Sequence, residues 1–486
     1  MGAMLTDPLR LYDALLTRDA RFDGRVFVGV TSTGIYCRPV CRVRTPRLSN
    51  CRFFANAALA EHAGFRPCLR CRPELAPGLS LIDSPQALAQ RAAHLLADAA
   101  LDGQALPLPT LAARLGVSER HLRRIFVATH GVSPLAYLST CRLLHAKQLL
   151  TDTDLPVTAV AYASGYGSLR RFNAVFAERY RMNPSTLRRQ GGRTHAKSGP
   201  TVVLSYRPPY DVDGVLRHLR ARCVVGVESV LDLTWSRSLS LAHRGMVLSG
   251  WISACFEPEC HRLRVDVAPT LAPVLGAVVR RLRQALDLDA DPALITPVLQ
   301  DLPTPVHEGV RVPGGVDGFE TAVRIILGQQ VSVAAACTLA QRLVDAFGEP
   351  LAAPLGGVQR LFPSAAALSQ ADPAHIGRLG IVRQRVTALQ ALARAVESGE
   401  LSLTRSADLP GTLATLRALP GVGEWTTQLI AMRALAWPDA FAAQDLGVLR
   451  ALGETDHRLA LARAEAWRPW RAYAQMSLWQ SLETSP

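Results

Sequence analysis

"GIYCRPVCRVR", Gly34 to Arg44, places Cys37 and Cys41 four residues apart with an arginine after each. The same grammar returns in "GFRPCLRCRP", Gly64 to Pro73, where Cys68 and Cys71 stand three apart amid Arg66, Arg70 and Arg72. Two close pairs separated by 26 residues supply four thiolates, the donor set of a tetrahedral S4 site, and Zn2+ is the ion that suits it. Residues 1 to about 78 are otherwise loop-rich, with one strand-like run, "RVFVGV", and few large apolar side chains. A metal there supplies folding free energy that so small a core does not. Spacing alone leaves two readings open: a structural clip, or a clip in which one thiolate also reacts. The other six cysteines (Cys51, Cys141, Cys223, Cys255, Cys260 and Cys337) are scattered singly, which excludes a secreted disulfide framework.

The 486 residues are too many for one ordinary core, and at ~150 residues per domain they divide into about three units. No run of 18 apolar residues occurs, since Arg324, Gln329 and Gln330 interrupt the most apolar stretch, and "MGAMLTDPLR" lacks the apolar centre of a signal peptide. The expectation is a soluble, cytoplasmic protein that does not engage a membrane. The formal charge of +14 is unevenly spread: residues 1–200 hold 27 Lys/Arg against 13 Asp/Glu, and residues 201–486 hold 27 against 27. All of the excess therefore lies in the first 200 residues. It is almost wholly arginine, whose fork fits phosphate oxygens, and it points to nucleic acid; a merely soluble, Arg-rich composition is the bland alternative.

From about 82 to 190 apolar residues recur at helical spacing, through "LAARLGVSERHLRRIFVATHG" and again through "VTAVAYASGYGSLRRFNAVFAERY". Each copy runs a short helix into a glycine (Gly116, Gly165), then a serine in N-cap position (Ser118, Ser168), then an Arg-bearing helix. That is helix-turn-helix grammar, twice. "QGGRTHAKSGP", Gln190 to Pro200, is polar and aperiodic and reads as a linker between halves with separate cores. Residues 204–312 mix strand-like runs ("MVLSGWISACF", "HRLRVDV") with helical ones ("LAPVLGAVVRRLRQAL"), and from 313 onward the chain reads as nearly all helix. There "LRALPGVGEW", Leu416 to Trp425, has the form of a helix-hairpin-helix, in which Gly421 and Gly423 let backbone N–H groups approach a DNA phosphate and carbonyls hold a monovalent cation. An ordinary interhelical turn is its bland reading.

Three resemblances extend this reading. "TSTGIYCRPVCRVR" through "FRPCLRCRP" resembles the N-terminal domain of Ada adaptive-response proteins. The resemblance implies that Cys37 is a zinc-bound nucleophile that takes a methyl group irreversibly from a DNA methylphosphotriester, with Cys41, Cys68 and Cys71 as the other ligands. Zinc-held thiolate stays ionised at neutral pH, which makes the implied chemistry sensible. The repeated units resemble the AraC-type DNA-binding domain, with Arg120, His121 and Arg124 on the first reading helix and Arg170, Arg171 and Asn173 on the second. About 18 residues of linking helix, Ser133 to Leu150, span roughly 27 Å, nearly one DNA turn of ~34 Å. The implied role is transcriptional activation, with RNA polymerase as partner.

From "LSYRPPYD" to the end the chain resembles AlkA-type 3-methyladenine DNA glycosylases, including "FETAVRIILGQQVSV" and "WRPWRAYAQMSLW". This resemblance implies that Asp445, 20 residues after Trp425, stabilises the sugar cation as the base leaves, while Trp425 and Trp479 flank the extruded base. Two positions depart from the family pattern: Gln330 stands where a Leu wedge is expected, and Leu429 where a pocket Tyr is expected. Trp425 occupies the place of the lysine nucleophile of bifunctional relatives, which implies no lyase step. "ECHRL", Glu259 to Leu263, is superficially like the "PCHRV" site of alkylguanine transferases, but its context is not, and Cys260 is not taken as an acceptor.

The expected architecture is multidomain and mainly α with α+β parts: a zinc methyl-acceptor module (1–78), a double helix-turn-helix (82–190), a linker (191–203), an α+β domain (204–312) and a helix-hairpin-helix glycosylase domain (313–486). The expected protein is a monomer acting on double-stranded DNA, alkylated and promoter. Its rivals are a pure methylation-sensing regulator whose glycosylase domain only binds DNA, and an AraC-type sensor of a small metabolite. The second has no use for a nucleophile at Cys37.

Overall fold

The computed structural model describes residues 8–18, 26–41, 43–54, 60, 63–68, 71, 85–101, 103, 106–153, 155–190, 199–243, 245–304, 306–405 and 408–483. The expected boundary at residue 78, Arg70 and Arg72 beside the second cysteine pair, and residues 191–198 of the expected linker lie outside these. The chain divides into two compact units, residues 1–96 with 106–138, and residues 97–105 with 139–486.

In the first unit, four short strands form a sheet of order β3-β1-β2-β4: β1 Phe27–Val30, β2 Ile35–Cys37, β3 Cys51–Phe54 and β4 Arg66–Pro67. β1 pairs antiparallel with β2 and β3, and β4 lies parallel to β2. Among the described residues its aromatic core is Phe27, Tyr36 and Phe65 with Ala60, and Phe54 packed against them. Beyond it stands the first helix-turn-helix, Leu108–Arg114 and Glu119–His130. Gly116 turns the chain at φ +65°, and the Ser118 hydroxyl accepts from the His121 N–H at 3.3 Å, the N-cap that the sequence pattern calls for. Leu122, Ile125 and Phe126 bury the inner face of the second helix.

The helix Pro134–Asp152 leads to the second copy, Val157–Ala163 and Leu169–Tyr180. The same devices recur, with Gly165 at φ +78° and Ser168 accepting from the Arg171 N–H at 3.3 Å. The second unit continues into a five-stranded antiparallel sheet of order β5-β9-β8-β7-β6, built from β5 Thr201–Ser205, β6 Glu228–Leu231, β7 Thr234–His243, β8 Met246–Glu257 and β9 Arg262–Val267. Alternate residues point to one buried face, as in Ile252, Ala254 and Phe256 of β8 and Leu263, Val265 and Val267 of β9. The helices Val212–Ala221 and Leu275–Ala285 contribute apolar side chains to the same core.

That core does not stop at the expected linker. Leu143, Leu149, Val160, Phe172 and Phe176 of the second helix-turn-helix belong to one continuous apolar cluster with the sheet and the helix Leu275–Ala285. The expectation of separate cores is thus corrected, for a physical reason: two helices of a few turns leave apolar surface that they cannot close on each other. Contact is close at Gly276, where a Cβ would fall 2.4 Å from Cε1 of the buried His145, and Arg280 pairs with Asp98 at 3.5 Å. Burial pushes the His145 imidazole down to about 4, so it is neutral at physiological pH. Gly276→Val overpacks this contact, with an expected loss of ~1–3 kcal/mol of stability, read as a lower denaturation midpoint of the second unit.

The C-terminal part is helical around one all-round buried helix, Gly318–Leu327, which packs against the helices Val333–Phe347, Arg383–Glu397 and Glu424–Arg433. It is not helix alone. "PLAAPL" and "VQR" form a hairpin, β10 Pro350–Leu355 with β11 Val358–Arg360, and Leu351, Val358 and Leu361 close over Trp251 of β8. Among the described residues no helix is long and apolar enough to cross a membrane.

Candidate functional site

The four clustered cysteines meet because of the strand pairing. Ile35 and Tyr36 of β2 lie beside Arg66 and Pro67 of β4, so the next residue on each strand, Cys37 and Cys68, emerges at the same level. The Cys68 N–H donates to the Tyr36 carbonyl at 3.0 Å, and a turn brings the Cys41 N–H to the Arg38 carbonyl at 3.1 Å. Buried Arg38 ties down the last ligand: its N–H donates to Cys71 Sγ at 3.4 Å and its Nη1 to the Cys71 carbonyl at 3.3 Å.

The four Sγ atoms lie within 4.8 Å of one another. So crowded, they cannot ionise together without a cation: hydrogen bonding to Cys41 pushes the Cys37 thiol far up, while the same contact holds Cys41 down at about 2. A donor set of four sulfurs with that mutual penalty fits one Zn2+. Cys37 and Cys41 border a small recess of about 10 Å3 that is walled by Leu15, Val28, Val30 and Val43. Cys71 is the most accessible of the four.

On the helix-turn-helix units Arg120, Arg124, Arg170, Arg171 and Asn173 are exposed on their helices. His121 is half-buried and its Nδ1 stands 3.0 Å from Arg124 Nη2, so those two side chains are not independent contacts.

In the second unit a cavity of about 400 Å3 is bordered by Trp425, Leu429, Asp445 and Trp479. Asp445 caps the helix Leu446–Leu452 through Oδ1, which accepts from the Val448 N–H at 3.1 Å. The same carboxylate takes both indoles: Trp479 Nε1 donates to Oδ1 and Trp425 Nε1 to Oδ2, each at 2.9 Å. Gly447 makes room, since a Cβ there would sit 3.0 Å from both Asp445 Oδ1 and Trp479 Cδ1. Sequence reasoning missed this clamp and treated the two tryptophans only as stacking surfaces.

The hairpin stands beside the cavity wall. Gly421 takes φ +77° with a Cβ position 3.1 Å from Ala388, so it is required by the fold. Gly423 is not: nothing of the protein lies within 4 Å of its Cβ position. The Gly421 carbonyl accepts from Gln329 Nε2 at 2.9 Å, and that amide also donates to Thr426 Oγ1 at 2.9 Å. Gln330 is exposed at φ +54° and does not border the cavity, whereas Leu429 does. Cys260 sits exposed in the turn between β8 and β9, away from any cluster of metal-ligating groups among the described residues.

No local sequence pattern points to a further group on the cavity wall. Arg237 Nη2 donates to Glu320 Oε2 at 2.6 Å and Arg237 Nη1 lies 3.6 Å from Glu228, which also pairs with Arg324. Burial works to raise the Glu228 carboxyl, but Arg324 and Arg237 hold it below its usual value. Burial, with Arg222 and Arg324 nearby, brings Arg433 down to about 9. The partners lie 83 and 96 residues apart in sequence, beyond any local pattern.

Four family descriptions match the chain: "Metal binding domain of Ada" over residues 10–74, "Helix-turn-helix domain" over 111–190, "AlkA N-terminal domain" over 201–317 and "HhH-GPD superfamily base excision DNA repair protein" over 323–464. The chain is 38% identical to the "Probable bifunctional transcriptional activator/DNA repair enzyme AlkA" of Mycobacterium tuberculosis, over 98% of this chain and 96% of that one. It is 34% identical to DNA-3-methyladenine glycosylase 2 of Escherichia coli over 57% of this chain and 96% of the relative. The bifunctional transcriptional activator/DNA repair enzyme Ada of Escherichia coli is 36% identical over 33% of this chain and 43% of its own length. With the order of domains kept from end to end, the chain belongs to the family of bifunctional transcriptional activator/DNA repair proteins that join an Ada metal-binding domain to an AlkA-type glycosylase.

Proposed function

We propose that the chain detects and repairs alkylated double-stranded DNA by two chemistries, one in each unit. The observation that carries the repair reading is the Asp445 carboxylate, fixed by three N–H donors on the wall of a cavity of the size that takes small ligands. Asp445 stabilises the positive charge that develops on the sugar as its C1′–N bond breaks. The base leaves with the bonding pair, and water supplies the hydroxyl to C1′ and releases a proton. An alkylated purine leaves from a cationic ring, so no strong general acid is needed. The indole N–H groups keep the carboxylate oriented before the reaction, and the ring faces of Trp425 and Trp479 favour electron-poor bases. Residues 201–486 contain no lysine, so this half has no side-chain amine for a Schiff base, and the glycosylase is monofunctional. Leu429 lines the base site. Exposed Gln330 takes the wedge position and bears on how the base is extruded, and the open space at Gly423 leaves its backbone free to meet a phosphate.

In the first unit Cys37 is the acceptor. Its Sγ attacks the methyl carbon of a methylphosphotriester; the S–C bond forms, the C–O bond breaks and the phosphodiester anion leaves. Bound Zn2+ keeps the four sulfurs ionised at neutral pH. A thioether does not return the methyl group, so each chain reacts once. Loss of one negative charge beside DNA then strengthens binding, with Arg120, Arg124, Arg170, Arg171 and Asn173 and the His121 pair as contacts. We read the modified protein as a cytoplasmic monomer that activates transcription through RNA polymerase.

The test is intact mass and peptide mapping after incubation with methylated DNA, read beside release of free methylated bases. One methyl per chain at Cys37 is expected, and labelling at Cys41, Cys71 or Cys260 instead overturns the assignment. Promoter affinity, titrated against salt, rises on modification; equal affinity of the two forms refutes the switch.

A further inference from the structure

Three carboxylates border the cavity, and two of them are saturated. Asp445 accepts from two indoles and a backbone N–H. Glu228 accepts from the Val224 N–H at 3.4 Å, from Trp235 Nε1 at 3.3 Å and from Arg324. Glu320 is different. It is 5% exposed, its Oε2 takes a hydrogen bond from Arg237, and its buried Oε1 has no hydrogen-bond partner, Arg324 Nη1 standing 3.5 Å away. An ionised carboxyl offers about four acceptor positions, and buried acceptors left open in this way are uncommon enough to need a reason.

The position is also unusual for a helix start. Asp317 caps the helix Gly318–Leu327 by accepting from the Glu320 N–H at 2.9 Å, and a glutamate three residues after such a cap ordinarily turns back to the cap's own N–H. Here the side chain is drawn inward to Arg237, which places a charged group on the wall of the cavity.

We propose that Glu320 reads the N–H edge of the extruded purine, accepting a hydrogen bond from an exocyclic amine or ring N–H. The proposal rests on the glycosylase reading and deepens it. Alkylation at N3 or N7 places positive charge on the ring and makes those N–H groups better donors. A carboxylate therefore favours the damaged base over its normal counterpart, beyond what stacking on indoles supplies. An alkylated base without such a donor gains nothing from it.

The experiment follows binding of free 3-methyladenine and of its N6,N6-dimethyl derivative, which lacks the donor, by quenching of tryptophan fluorescence in the full chain and in Glu320→Gln. The unaltered chain is expected to prefer 3-methyladenine by on the order of tenfold or more, the worth of one hydrogen bond to a charged acceptor. Glu320→Gln is expected to lose most of that preference and to release 3-methyladenine from methylated DNA more slowly. Equal preference in the two proteins overturns the proposal, as does no preference in either. Should Glu320→Gln not fold, Glu320→Asp, which withdraws the carboxylate by one methylene, must show the same loss of preference. Failure of the unaltered chain to release any methylated base would instead count against the glycosylase reading, independently of the binding ratio.

Discussion

Asp445→Asn lowers excision of alkylated bases by roughly 10²–10³-fold, the usual cost of removing one preorganised electrostatic group. The amide keeps one oxygen, which can go on accepting from Trp479 and Val448 and so preserve the cap. Its NH2 faces the indole N–H of Trp425, two donors against each other, and the negative charge is gone. The fold therefore loses only ~1 kcal/mol while the transition state loses its counter-charge. Single-turnover release of 3-methyladenine, together with DNA binding, separates the two effects: binding persists and the chemical step does not. Methyl uptake at Cys37 in the same preparation continues at the unaltered rate, since that thiol belongs to the other unit. Near-normal excision would remove Asp445 from the mechanism and return weight to a regulator that only binds DNA.

Cys37→Ser is the complementary expectation: methyl uptake falls to background and base excision is unchanged. The remaining thiolates, Cys41, Cys68 and Cys71, hold the metal more weakly. Removing the metal altogether has a larger structural effect. Among the described residues the aromatic core of the module comprises Phe27, Tyr36, Phe65 and Phe54, and metal affinity of ~10–16 kcal/mol in small zinc domains is folding free energy. Chelation is expected to unfold the module while the excision rate stays as it was. Circular dichroism and zinc release measured together check the first statement, and loss of excision on chelation would contradict the second.

What could be read from the sequence was what is locally encoded. The four cysteines and the Gly116–Ser118 and Gly165–Ser168 turns are patterns within a few tens of residues, each with its cause in spacing or capping, whereas Asp445 was singled out by the family resemblance. Contacts between distant segments were not legible. Trp479 reaches Asp445 across 34 residues, Arg237 reaches Glu320 across 83, and the apolar faces of Val160 and Phe172 gave no sign that their partners lay on the far side of a polar segment. The hairpin at Pro350 escaped for a related reason: its strands are short and proline-bearing, and their reward is docking on Trp251 rather than any alternation of their own.

The apolar cluster that runs from Leu143 through the sheet has a bearing on how such a gene can change. Two proteins strung on a tether can be parted again by a stop codon or a recombination event in the tether, and each half survives. Here a break near residue 200 would cut one apolar cluster in two and bare, on each product, side chains now shielded from water. Both products would be prone to self-association until new polar residues arose on the cut faces. A fusion with a shared core of this kind is thus easier to enter than to leave.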